Sequence, residues 1–201
     1  MKIYSKYIEE AVEQLSSLPG IGKKTALRLV LNILRRDTES VEMFSNAFID
    51  MKNHVQECKV CGNISDQMLC EICADERRNK TQICVVEDIR DVMAIESTGT
   101  YKGVYHVLGG IISPMDGIGP GDLNIQSLIQ RASNDSISEI IFALSPTMEG
   151  DTTNFYLYKK LGNTGIFITA LSRGVAVGTE LQYADELTLG RSLTQRQEFK
   201  G

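Results

Sequence analysis

Four cysteines carry the sharpest chemical signal in this chain. Cys58-x2-Cys61 and Cys70-x2-Cys73 are two paired knuckles separated by eight residues. Each pair can hold one edge of a metal ion, and four thiolates close a tetrahedron around Zn2+ at about 2.3 Å. A closed set of four sulfurs leaves no position for water, so the spacing predicts one structural Zn2+ per chain rather than a catalytic metal. A pair of disulfides is the competing reading, which a reducing compartment disfavours. A thioredoxin-type redox motif needs only one such pair. The fifth cysteine, Cys84, lies in an apolar run and is expected to be a buried thiol. His54 stands four residues before Cys58, but four sulfurs already complete the site, so it is expected on a helix surface.

A second constellation is Leu18-Pro19-Gly20-Ile21-Gly22-Lys23-Lys24-Thr25-Ala26, with Arg28 following. Two glycines allow a tight turn and a close backbone approach to a ligand. The turn feeds a helix start, where free N–H groups and the helix dipole favour phosphate. Gly20, Gly22, Lys23, Lys24 and Arg28 are therefore candidates for gripping a DNA backbone without reading bases, as a helix–hairpin–helix does. A glycine pair alone marks only a helix-joining turn. Here it sits in a basic stretch: residues 1–36 hold seven Lys/Arg against three acids, in a chain whose net charge is −5. That division implies a small basic module on an acidic body.

Acidic residues form the third constellation. Glu87-Asp88 and Glu149-Gly150-Asp151 each follow a candidate strand, and groups just past parallel strand ends gather on one edge. Such carboxylates could bind Mg2+ through oxygen. They are equally placed to favour helix starts, with Asp88 and Asp151 as caps. The Pro/Gly-rich loop Ser113–Asp122 fits either an interaction surface or a plain crossover. His106 alternates within a strand and is expected to be packed, and no Ser/His/Asp or Cys/His nucleophile set stands out.

The elements that must position these groups follow from periodicity. With 201 residues, 42% hydrophobic and 23% charged, the chain fits one or two soluble domains. No apolar run approaches the ~20 residues of a membrane helix, and no secretory signal opens the chain, so a cytoplasmic protein is expected. Ile3, Tyr7, Ala11, Leu15 and Leu18 trace one helix face; a second helix from Lys23 is expected to bury Ala26, Leu29, Val30 and Ile33. A third, over 39–53, would use Val41, Phe44, Phe48 and Met51. The polar stretch Asp75–Gln82 resembles a boundary. Beyond it, apolar runs at 83–86, 104–108, 140–144 and 166–170 alternate with helical patterns around Val92, over 123–132 and over 152–161. That alternation predicts a parallel sheet covered on both faces.

The order of parts resembles the bacterial RecR family of recombination proteins. The residues that carry the likeness are Leu18–Ala26, Cys58–Cys73, Ile83–Glu87, Gly109–Gly121, Pro146–Asp151 and a C-terminal stretch from Arg173 to Leu193. The resemblance implies a multi-domain α/β fold. Residues 1–53 would form a helix–hairpin–helix for DNA binding and oligomerisation, 54–76 a four-cysteine zinc finger, 81–172 a Toprim-like sheet domain, and 173–201 an assembly segment. It further implies a non-catalytic, nucleoid-associated mediator of recombinational DNA repair. Such a mediator works with RecO, and in many bacteria RecF, to load RecA onto gapped single-stranded DNA. The family's ring-like homotetramer would encircle double-stranded or gapped DNA, with Lys23 and Arg28 facing it. Glu87, Glu149 and Asp151 resemble the metal edge of Toprim enzymes and would serve Mg2+ or partner binding. Catalytic Toprim domains usually show Asp-x-Asp where this chain has Glu149-Gly150-Asp151, which weakens the rival reading of a metal-dependent Toprim nuclease. A stretch near Val175–Leu187 has been likened to a Walker B strand, but no phosphate-binding GxxxxGK[ST] accompanies it, so ATP hydrolysis is not expected.

Overall fold

The computed structural model describes residues 4–133, 136–162, 164–196 and 198; Lys2 and Ile3 lie outside them. The chain divides into two compact units, residues 1–55 and 56–201.

In the first unit, helix α1 (Lys6–Ser16) is capped by Ser5, and α2 (Lys23–Ile33) follows the Pro-Gly turn. Helix α3 (Thr38–His54) starts at Asp37, whose carboxylate accepts from Ser40 N at 2.8 Å. Val12, Ala26 and Val30 form the core, with Ile8, Ala11, Leu15, Ile21 and Leu27 packed around it. The inward face of α1 thus runs through Ile8 and Val12 rather than Tyr7 and Leu18, which are exposed. On α2, Leu27 packs inward and Leu29 turns out. Tyr7 and Leu29 satisfy helical spacing, but an amphipathic stripe has a centre, and Val12 and Val30 define it. Helix α3 forms as expected yet buries no residue, leaving Phe44 and Phe48 exposed in an edge-to-face pair.

The second unit opens with a two-stranded antiparallel ribbon, β1 (Gln56–Glu57) and β2 (Ile64–Ser65), and a short helix α4 (Glu71–Ala74). Four parallel strands follow: β3 (Asn79–Val86), β4 (Gly103–Val107), β5 (Glu139–Phe142) and β6 (Phe167–Ala170), in the order β4-β3-β5-β6. Ile83 pairs with Val104 on one side and Ile140 on the other, and Ile140 with Ile168. Side chains alternate across the sheet. Ile83, Val85, Val104 and Ile140 pack against α6 (Ile125–Ala132) and α7 (Met148–Leu161) through Leu128, Leu157 and Leu161. Cys84, Val86, Tyr105 and Val107 face the other way, toward Val92 of α5 (Ile89–Ser97). The sheet is therefore covered on both faces, and the Toprim-like architecture is present.

The polar stretch Asp75–Gln82 leads into the sheet, its last residues Asn79–Gln82 forming the start of β3. One boundary differs from the sequence reading. Helix α7 starts at Met148 rather than Thr152, since Thr147 Oγ1 accepts from Gly150 N at 3.0 Å and caps it. The last helix, α8, spans Glu186–Thr194 and is capped by Asp185.

Candidate nucleic-acid interface and metal centre

The hairpin is built by backbone geometry. Ile21 N donates to Leu18 O at 3.1 Å, and Gly20 sits at φ +80°, a left-handed conformation that side chains other than glycine rarely adopt. Gly22 is the N-cap of α2 with an ordinary extended backbone, and it supplies no side-chain cap to the first-turn N–H groups. Nothing lies within 4 Å of where a Cβ would project from Gly20 or Gly22, so this turn is open to an approaching ligand. Lys23, Lys24 and Arg28 are all exposed. Among the described residues none of the three has an ion-pair partner, and no acid occupies the first turn of α2. The arrangement offers free N–H groups and free cations to one anion.

The four predicted ligands converge. The sulfurs of Cys58, Cys61, Cys70 and Cys73 lie within 4.8 Å of one another, and those of Cys61 and Cys70 are 3.5 Å apart. A Zn2+ with four sulfurs at about 2.3 Å needs sulfur–sulfur edges of about 3.8 Å, so the set fits the ion. The thiols also show why a cation is required. Burial opposes ionisation of Cys58, yet amides of Cys70, Val60 and Cys61 outweigh it and bring its pKa down to about 6. Once thiolate charge is present its neighbours resist: Cys61 is driven upward by Cys73 and burial, and Cys70 is pushed up to about 11 chiefly by burial. Only a bound cation can hold four deprotonated sulfurs this close. Cys84 lies apart in the sheet, its pKa raised to about 12 by burial, and His54 ends α3 on the surface.

The cysteine knuckle is docked onto the sheet by main-chain contacts. Val107 N donates to Cys61 O at 2.7 Å. Gly62 comes so close that a Cβ there would stand 2.8 Å from Val107 O and 2.9 Å from Asn124 Nδ2, so only glycine fits.

The acidic residues are placed differently from one another. Asp88 caps α5 in a reciprocal capping box with Asp91 and is bridged by Arg90. Hydrogen bonds from Arg90 hold its carboxyl below the usual range. Glu87 is half-buried, and burial together with Asp91 and Asp88 raises its pKa. Asp151 lies in the first turn of α7 and is not the cap; Arg173 grips it through both terminal nitrogens, and Arg191 Nη2 lies 3.6 Å away. Among the described residues, the four cysteines are the only group of three or more ligand-bearing side chains drawn together. Sequence reading missed Arg173 and Arg191, which reach Asp151 across 22 and 40 positions. The loop Gly109–Asp122 is internally tied: Ser113 Oγ donates to Asp116 at 2.6 Å, Ser113 and Ile118 exchange backbone bonds, and Gly119 N donates to Asp122 at 2.8 Å. His106 is fully buried, as expected for a packed residue. No helix is long and apolar enough to cross a membrane among the described residues.

Comparison with known proteins accounts for the same segments in the same order. The chain matches the family models described as the RecR helix-hairpin-helix over residues 8–52, the RecR four-cysteine zinc finger domain over 55–75, the Toprim domain over 81–172 and the RecR C-terminal region over 174–197. It is 58% identical over 197 residues to Recombination protein RecR of Bacteroides thetaiotaomicron, covering 98% of this chain and 96% of that one. The protein of the same name from Porphyromonas gingivalis is 54% identical over 198 residues, with 98% and 96% covered. The one from Flavobacterium johnsoniae is 56% identical over 200 residues, with 100% and 97% covered.

Proposed function

The chain belongs to the RecR family of recombination proteins, and on that premise we propose that it is a DNA-binding, non-catalytic mediator of recombinational repair. In this reading it acts in the nucleoid with RecO, and where present RecF, to help load RecA onto gapped single-stranded DNA. The observation that carries it is the start of α2, where Lys23, Lys24 and Arg28 have no ion-pair partner among the described residues and the first-turn N–H groups have no side-chain cap. Contacts of this kind engage phosphates without regard to base sequence. Each is weak, and a ring-like homotetramer would multiply them by symmetry around one duplex. The apolar face of α3, exposed within its own unit, is in keeping with assembly through the N-terminal helices. Zinc is structural here: four sulfurs leave no open coordination position, and the ion's contribution is to hold the knuckle folded.

A metal-dependent Toprim nuclease is the alternative. Such an enzyme needs carboxylates free to take Mg2+, and Asp151 is already engaged by two guanidinium groups. Glu87 and Glu149 are accordingly assigned to partner binding, while Asp151 is already held by Arg173 and Arg191.

Fluorescence anisotropy with labelled duplex and gapped DNA tests the proposal. Combined Lys23→Glu and Arg28→Glu should weaken binding at least about tenfold and leave the helix content unchanged. Undiminished affinity would remove DNA from this surface. A denaturing gel of the same DNA with Mg2+ or Mn2+ should show intact strands. Cleavage that disappears in Glu87→Gln and Asp151→Asn would make the protein a nuclease.

A further inference from the structure

Helix α2 and the turn that follows it carry charge of one sign only: from Lys23 to Arg36 the chain holds five cations and no acid. Lys24, Arg28, Leu31 and Arg35 stand at i, i+4, i+7 and i+11, which at 3.6 residues per turn keeps them within about 60° of arc on one flank. The helical path continues past Ile33, because Arg35 N donates to Asn32 O at 3.2 Å and Arg36 N to Ile33 O at 2.9 Å. These four side chains, with Leu27 and Asn32, line a groove of about 360 Å³. Its three cations are exposed, and none has an ion-pair partner among the described residues. Arg36 leaves this flank, its guanidinium lying 6.0 Å from the centroid of the Phe44 ring. A cation just past a helix end often serves the last carbonyls. Among the described residues, however, the Arg35 side chain makes no hydrogen bond to one.

Three unpaired cations in one groove call for an anion. Lys24 and Arg35 stand about 17 Å apart along the axis, too far for one small ion, so that anion must be extended. No aromatic side chain lines the groove to stack on a splayed base, as sites for single strands do. Leu31, 40% exposed, instead offers an apolar contact between Arg28 and Arg35. A sugar–phosphate strand whose bases stay paired has that order of charged and apolar groups.

We infer that this flank of α2 is a track for one strand of a DNA duplex, and that Arg35 contacts a phosphate beyond those held at the hairpin. The inference rests on the DNA-binding reading above and lengthens its footprint from the hairpin to the far end of α2.

Fluorescence anisotropy of the full chain on a labelled blunt duplex, repeated over a series of salt concentrations, tests it. Arg35→Gln should weaken binding about three- to tenfold and reduce the slope of log K against log salt by at least about 0.9, one phosphate contact per chain. Arg36→Gln removes an equal charge from off the track and should change the slope far less. Circular dichroism should show both variants folded like the unmodified protein. A slope unchanged by Arg35→Gln, or lowered equally by Arg36→Gln, would overturn the track; the first result would point Arg35 toward an acidic protein partner instead. A single strand of the same length should respond to Arg35→Gln less than the duplex does, and a larger response there would overturn the duplex as occupant. The Lys23→Glu and Arg28→Glu pair separates the two levels. Undiminished duplex binding in that pair removes the DNA reading itself, whereas loss in that pair with none in Arg35→Gln removes only the track.

Discussion

Three arginines of the sheet unit and three cations of the hairpin unit stand in opposite states, although Lys6 of the hairpin unit pairs with Glu10 at 3.6 Å. In the sheet unit Arg78 is paired with Glu96, Arg90 with Asp88 and Arg173 with Asp151. In the hairpin unit Lys23, Lys24 and Arg28 face solvent with no such partner among the described residues. A cation neutralised inside the fold stabilises it and has little left for an outside anion, whereas an unpaired one adds nothing to the fold and remains available. Charge count alone therefore misleads; whether a charge is already satisfied is what separates the binding surface from the scaffold.

The largest effect should come from the cysteine knuckle of the sheet unit. Cys61→Ser removes a buried zinc ligand and should cost several kcal/mol, since metal binding and folding of such knuckles are coupled. Elemental analysis should find the zinc gone, and proteases should gain access at Lys59, while the hairpin helices persist by circular dichroism.

Acid should act next, at a histidine buried in the sheet. His106 is held neutral by burial, its pKa falling to about 4 from an ordinary 6.5. The unfolded chain takes up that proton near 6.5 while the folded one refuses it. The stability from this group is therefore complete above pH 6.5 and drains away as the pH falls toward about 4, by about 2 kcal/mol between pH 7 and pH 5. Urea unfolding at the two pH values should show the loss, and His106→Gln should flatten it.

A paired charge gives a smaller loss. Glu96 accepts from Arg78 Nη1 at 2.8 Å and from Tyr105 Oη at 2.7 Å, and Arg78 holds its carboxyl below the ordinary range. Glu96→Ala should cost about 1–2 kcal/mol in thermal unfolding, reduced from a fully buried value by its partial exposure, and leave DNA binding untouched. The free charges complete the contrast. Lys24→Ala should shift stability by less than about 0.5 kcal/mol, yet lower the salt dependence of DNA binding by about one phosphate contact. A stability loss at Lys24 equal to that at Glu96 would erase the distinction between the units.

What the sequence disclosed follows the same division between local and distant. The cysteine spacing and the Pro-Gly-Ile-Gly turn are local patterns whose chemistry fixes their geometry, and the strands around Ile83, Val104, Ile140 and Ile168 announce themselves by apolar runs. Tyr7 and Leu29 show the limit of periodicity, because a stripe two residues wide can be centred on either flank. The start of α7 was available in Thr147, a capping residue three positions before Gly150. Arg173 and Arg191 could not be joined to Asp151 from sequence, since only tertiary folding brings them together.

The bond from Val107 to Cys61 also has a consequence in time. The knuckle ends at Cys73, but the strand that receives it is not finished until Val107, 34 residues later. At the usual pace of bacterial translation, about 5–20 residues per second, the ribosome needs about 2–7 s to supply that strand. Through that interval the four thiols are synthesised, undocked and open to oxidation or to the wrong metal. Zinc must reach them either as they emerge or from a pool that later displaces whatever arrived first, so the yield of correctly assembled protein should track zinc supply during synthesis more closely than zinc supply afterwards.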